Sequence, residues 1–212
     1  MRDHRVLRGS VARAASPFSL GGSKIYGINL VKALQERYGF TGVPDRIEGF
    51  NLEANLRLSQ GYFDGTVFDA ELMAVGVRVI AASDTNVCEK IADDIIYWAK
   101  DSAGVAAEIG ELRVYDSVIE FHSDLKLSKL FNILGNIGGK IGDLVGGYGG
   151  PGDAYEGIGI NLLPNVEEKG PSLFRIEHRA GHPLTEGVFF SMAPLSTEDH
   201  LRVLREIEEI LA

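Results

Sequence analysis

Cysteine is nearly missing from this chain: Cys88 is the only one in 212 residues. One cysteine cannot close an internal disulfide, and it cannot assemble the Cys-rich ligand sets of structural zinc sites. Stability must come from an apolar core, and the expected address is a reducing, cytoplasmic one. Proline is scarce too, with seven residues, and no polar low-complexity run occurs, so extensive disorder is not expected. The opening residues lack the continuous apolar run of a secretory signal. A Walker loop, a nucleophile elbow, a zinc-protease helix and the common nucleic-acid signatures are all missing. Motifs therefore point to no cofactor and no metal. No repeat at a solenoid period is visible.

What remains is an acidic chain large enough to bury roughly 70% of its unfolded surface. The formal net charge is −9, which repels polyanions on average, so no nucleic-acid partner is expected. The balance is uneven. Arg2, Arg5, Arg8 and Arg13 crowd the start of the chain against Asp3. Residues 1–22 read as a solvated basic arm, loosely resembling a mitochondrial presequence in composition, ahead of a single domain over 23–212. Within the first turn of a helix near Cys88 a thiolate would be favoured, but a small buried side chain is the expected role.

Periodicity supplies the elements. Ile25, Ile28, Val31, Leu34 and Tyr38 recur at helical spacing between a Ser23 cap and a left-handed stop at Gly39. Alternation from Leu52 to Ile80 predicts strands, with Asp64-Gly65 as a hairpin turn. Ser83, Asp84 and Thr85 lead into a helix bearing Val87, Ile91, Ile95 and Trp98. Asn86 and Glu89 there have capping-box spacing, and which residue caps is left open. Further strands are expected over 112–122, 158–163, 173–179 and 188–192, the last two as a hairpin. Ser196 caps a final helix whose buried stripe is Leu201, Leu204, Ile207, Ile210 and Leu211. Strand clusters broken by helices, without regular βαβ alternation, argue for α+β: a mainly antiparallel sheet with amphipathic helices packed on it, including a C-terminal helix and a Gly-rich central helix.

That central segment, 126–147, is the unusual feature. On a helical projection Leu127, Leu130, Phe131, Leu134, Ile137, Ile141, Leu144 and Val145 gather on one side, and Lys129, Asn132, Asn136, Lys140 and Asp143 on another. Gly135, Gly138, Gly139, Gly142 and Gly146 form a third strip, with small-xxx-small spacing that admits a close neighbour. The neighbour could be the same domain, a second subunit or, with several copies inserted together, a membrane. Charges at Lys129, Lys140 and Asp143 each cost about 2.5–3.5 kcal/mol in a bilayer, which outweighs the apolar gains for a lone spanning helix. The run Gly146 to Gly152 follows a helix and precedes acidic residues, the reverse of a phosphate cradle, and reads as a loop.

Chemistry has few candidates. Glu120, His122 and Asp116 share one predicted strand face, and Glu177, His178 and His182 lie near the later hairpin. If those strands were neighbours, Glu120, His122 and His178 could form an acid–base cluster. Polar residues on the exposed face of an antiparallel sheet are expected in any case, and that reading is preferred over an acid–base or metal-binding cluster. The functional expectation is a non-enzymatic interaction or assembly protein, self-associating or binding a protein partner, with the glycine strip as packing or interface element. A membrane-active protein and a small-molecule enzyme or sensor are the alternatives.

Overall fold

The computed structural model describes residues 1–16, 27–50, 55–73, 75–102, 108–125, 127, 135–150, 152, 155, 157–163 and 173–211. In chain order these give β1 (Asp3–Ser16), α1 (Gly27–Tyr38), β2 (Leu56–Phe63), β3 (Thr66–Met73), β4 (Gly76–Ala81) and α2 (Thr85–Ser102). They continue with β5 (Glu108–His122), α3 (Gly135–Gly147), β6 (Gly159–Leu162), β7 (Phe174–His178), β8 (Val188–Ala193) and α4 (Thr197–Leu211). The string β-α-β-β-β-α thus occurs twice. The eight strands form one sheet in the order β2-β3-β4-β1-β5-β8-β7-β6, in which the second set of four repeats the order of the first, run outward. The fold is α+β, as the alternation predicts. The duplication escapes a search at solenoid periods because it is carried by element order, not by matching residues.

The basic arm is corrected. Residues 3–16 are strand β1, paired antiparallel with β4 from Gly9↔Ala81 to Ala14↔Gly76. Its alternation is real but disguised, because an arginine stands at an inward position: Arg13 is 5% exposed, with its Nε 2.9 Å from Asp93. The chain divides into two compact units. One comprises Val6–Val118 with Ala193–His200, the other Met1–Arg5, Ile119–Met192 and Leu201–Ala212.

In the first unit, Leu30, Val31, Leu34 and Tyr38 of α1 and Cys88, Ile91, Ile95 and Ile96 of α2 pack on the inward residues of β1 to β4. The β3 and β4 contributors, Phe68, Ala70, Leu72, Val77 and Val79, are the ones alternation picks out. Tyr38 meets Phe40, Phe63, Phe68 and Trp98 at edge-on or tilted angles. The Asp64-Gly65 turn has both residues at positive φ, 43° and 82°, as a two-residue hairpin loop requires. Gly39 ends α1 at φ 67°. The Ser23 cap and the apolar positions Leu130, Phe131 and Leu134 lie outside the described residues.

Asp84 settles the open question of the α2 cap: its Oδ1 accepts the Val87 N–H at 2.9 Å. Ser196 caps α4 as expected, accepting the Asp199 N–H at 3.1 Å. The Thr85 N–H donates to Thr197 Oγ1 at 3.0 Å, and the Thr197 N–H donates to Thr85 Oγ1 at 2.9 Å. Each first-turn amide thereby finds a partner in the other threonine, as buried helix ends require. Three residues on, equivalent places hold Cys88 and His200, both fully buried. Cys88 Sγ donates to the Gly9 carbonyl at 3.3 Å, and burial pushes the thiol up to about 12. Native protein is therefore expected to resist iodoacetamide at pH 8 and to react only after unfolding in urea. Stoichiometric alkylation of the folded chain would contradict this placement.

In the second unit Ile119, Phe121, Phe174, Ile176, Val188, Phe189, Leu204 and Leu211 are buried, and Phe121 stacks on Phe189. Ile210, placed by periodicity in the α4 stripe, is 79% exposed. Leu211, the other stripe position at the last turn, is buried as predicted.

Candidate interaction surface

Helix α3 owes its position to its glycines. Aligned from their first residues, Gly27 and Gly135, helices α1 and α3 compare position by position. Where α1 buries Leu30, Val31, Leu34 and Tyr38, α3 carries Gly138, Gly139, Gly142 and Gly146. A helix with no side chains on that face cannot fill space, but it can let another backbone come very close. That is what occurs. Gly138 and Gly142 are buried, and the Tyr155 N–H donates to the Gly138 carbonyl at 3.2 Å. A Cβ on Gly138 would stand 2.0 Å from the Tyr155 carbonyl oxygen, and one on Gly146 would stand 3.3 Å from Gly152 Cα. The close neighbour at Gly138 and Gly146 is the chain's own returning segment. Beside Gly139 there is open space.

The large apolar residues of α3 consequently face away. Ile137 is 51% exposed, Ile141 38%, Leu144 58%, and Tyr148, just past the helix, 81%. Leu127, the first residue of the stripe read from the sequence, is buried, whereas these four residues turn outward. The spacing of Ile137, Ile141, Leu144 and Tyr148, four-three-four, is that of a coiled-coil seam. Lys140 and Asp143 are exposed beside it. The helix has 13 residues, about 20 Å at 1.5 Å per residue, against roughly 30 Å of bilayer hydrocarbon. Among the described residues no helix is long and apolar enough to cross a membrane.

The acid–base candidates do not converge. Strand β8 lies between β5 and β7. Glu120 Oε2 is 3.2 Å from Arg179 Nε, and His122 Nδ1 is 3.6 Å from Asp3. His178 turns to the other side of the sheet, its ring 4.3 Å from that of Phe189. His182 pairs with Glu186 at 2.9 Å. No group of three or more His, Cys, Asp or Glu among the described residues is arranged to hold a metal ion.

On the sheet face away from the helices, several arginines have carboxylate partners. In the first unit Arg8 meets Asp116 at 2.8 Å, and Arg57 and Arg78 both meet Glu71, at 2.6 and 3.7 Å. In the second unit Arg175 Nε donates to Glu177 at 2.9 Å, beside the Arg179–Glu120 pair. Each of these arginines has a carboxylate partner, but Arg57 and Arg78 share Glu71, so that cluster keeps one positive charge.

The site missed from sequence is the buried pair Ser117 and His200, whose Oγ and Nδ1 lie 2.7 Å apart with both residues at 0% exposure. Burial lowers the imidazole to about 4, so it is neutral and accepts a proton readily only when the core opens. A histidine one residue before Leu201 in the predicted stripe was the available signal.

No family model matches the chain, and no curated protein matches it. Among solved structures it is similar to Methanococcus jannaschii TBP, with 14% identity and a TM-score of 0.46 over 99% of this chain and 98% of that one.

Proposed function

We propose that this chain is a non-enzymatic interaction or assembly protein that docks a partner protein on the outward stripe of α3. The observation carrying the reading is the inverted helix: glycines inward against Gly152 and Tyr155, and Ile137, Ile141, Leu144 and Tyr148 in solvent. A contiguous apolar seam of this kind marks an interaction surface more often than a neutral one. Its four-three-four spacing suits an amphipathic helix of the partner. The net charge of −9 speaks against a nucleic-acid partner. A catalytic role for Glu120, His122 and His178 is not favoured, since the two faces of the sheet separate His178 from the others.

The test is the double variant Ile141→Glu with Leu144→Glu. Because both side chains are exposed, unfolding free energy should shift by no more than about 0.5 kcal/mol. Fluorescence of the apolar dye anilinonaphthalene sulfonate bound to the native protein should fall several-fold. Unfolding of the variant, or unchanged dye binding, would count against the reading. A membrane surface is the alternative occupant, with Lys140 bordering the stripe. Flotation of wild type, but not of the variant, with phosphatidylserine vesicles would select it.

A further inference from the structure

The two ends of the sheet are treated differently by the sequence. Strand β2, at one end, is interrupted by a register shift between Leu58 and Gly61. Gln60 there has a positive φ of 58°, and Gly42 lies across Ser59 with N–H to carbonyl bonds of 3.1 and 2.7 Å in both directions. Bulges and covering loops of this sort prevent edge-to-edge pairing. Strand β6, at the other end, shows none of these devices among the described residues. Its ladder with β7 is regular from Gly159↔Glu177 to Leu162↔Phe174. From Ile158 to Leu163 it carries no charge and no proline.

The direction of its main-chain groups follows from one bond. The His178 N–H donates to the Ile158 carbonyl at 2.9 Å. By antiparallel alternation Ile158, Ile160 and Leu162 face β7, whereas the N–H and carbonyl groups of Gly159, Asn161 and Leu163 point outward. Nothing among the described residues pairs with them.

We infer that β6 is a docking edge for β6 of a second copy of this chain, paired antiparallel about Asn161. The partner is identified by self-complementarity. In that register Asn161 lies opposite Asn161 of the second copy, Leu162 opposite Ile160, and Leu163 opposite Gly159. Leu162 and Leu163, now 57% and 76% exposed, are thereby covered, and Leu163 meets a residue with no side chain to obstruct it. No like charges oppose each other. The closed two-fold arrangement adds about six main-chain hydrogen bonds and leaves no new edge to propagate. This surface is separate from the α3 seam and does not depend on it.

Sedimentation equilibrium of the full chain tests the proposal. Wild type should show a monomer–dimer equilibrium with a Kd on the order of 10–100 µM, weak because so short a ladder buries less than a standard interface. Asn161→Lys and Asn161→Asp should each weaken association at least about tenfold, by placing like charges opposite one another. An equimolar mixture of the two should recover dimerisation as a mixed pair. Circular dichroism confirms that both remain folded. Ile141→Glu with Leu144→Glu should dimerise as wild type does. Wild type that stays monomeric to about 1 mM would overturn the proposal. So would variants that dimerise normally, a mixture that does not recover, or loss of the dimer on changing α3.

Discussion

Lowering the pH from 7 to 4 is expected to remove roughly 3 kcal/mol of folding stability through His200 alone, since each tenfold difference in proton affinity between the two states is worth about 1.36 kcal/mol. The imidazole is fully buried, and desolvation drives it down to about 4 in the folded state, against about 6.5 in the unfolded chain. Above pH 6.5 both states are neutral and the contribution is whole. As the pH falls from 6.5 towards 4 the unfolded chain binds a proton that the folded one refuses, so stability declines. Below 4 both are charged and the loss levels off. Carboxylates add their own titration at the acid end, so the comparison must be with His200→Asn, whose side-chain amide can still reach Ser117. Urea unfolding at intervals from pH 7 to 4 should give a steeper fall for wild type than for the variant. Parallel curves would mean that His200 is not held neutral. An acid-labile first turn of α4 also bears on the Thr85–Thr197 exchange of hydrogen bonds, which sits three residues away.

Gly138→Val and Gly139→Ala should move stability in opposite directions although they are adjacent glycines in one helix. At position 138 any Cβ would lie 2.0 Å from the Tyr155 carbonyl oxygen. A backbone atom cannot swing aside as a flexible side chain can, so the returning segment must separate from α3. Overpacking of this kind costs about 1–3 kcal/mol, and a β-branched residue adds its helix penalty. At position 139 the added methyl meets nothing, and replacing a helical glycine by alanine gains up to about 1 kcal/mol. Urea melts with amide exchange on Tyr155 would check both: its protection should vanish in Gly138→Val and persist in Gly139→Ala. Equal behaviour of the two variants would remove the physical basis of the inverted helix, and with it the outward seam on which the proposed docking role depends.

The legible parts of the fold were those decided within a few residues. The alternation of Phe68, Ala70 and Leu72, the Asp64-Gly65 turn, the stop at Gly39 and the Ser196 cap all appear where local rules put them. The candidate surface was only half legible. The helix predicted over 126–147 is described over Gly135–Gly147, and a helical projection cannot say which strip turns inward. A core-facing apolar stripe is the general expectation; here the backbone at Gly152 and Tyr155 claims the opposite side. Arg13 misled for a similar reason, since a lone arginine at an inward strand position becomes tolerable only once Asp93 is brought beside it from α2.

Apart from β1, residue order alone determined most kinds of element and the α+β class, because helical and strand periods, turns and caps are properties of neighbouring residues. Tertiary structure decided that the basic opening segment is a strand in the sheet, that β8 parts β5 from β7, that Gly138 and Gly142 of α3 are buried, and that β6 lies at the end of the sheet order. Those outcomes depend on which distant segments meet, and a one-residue or one-face choice of that sort leaves no trace in local periodicity.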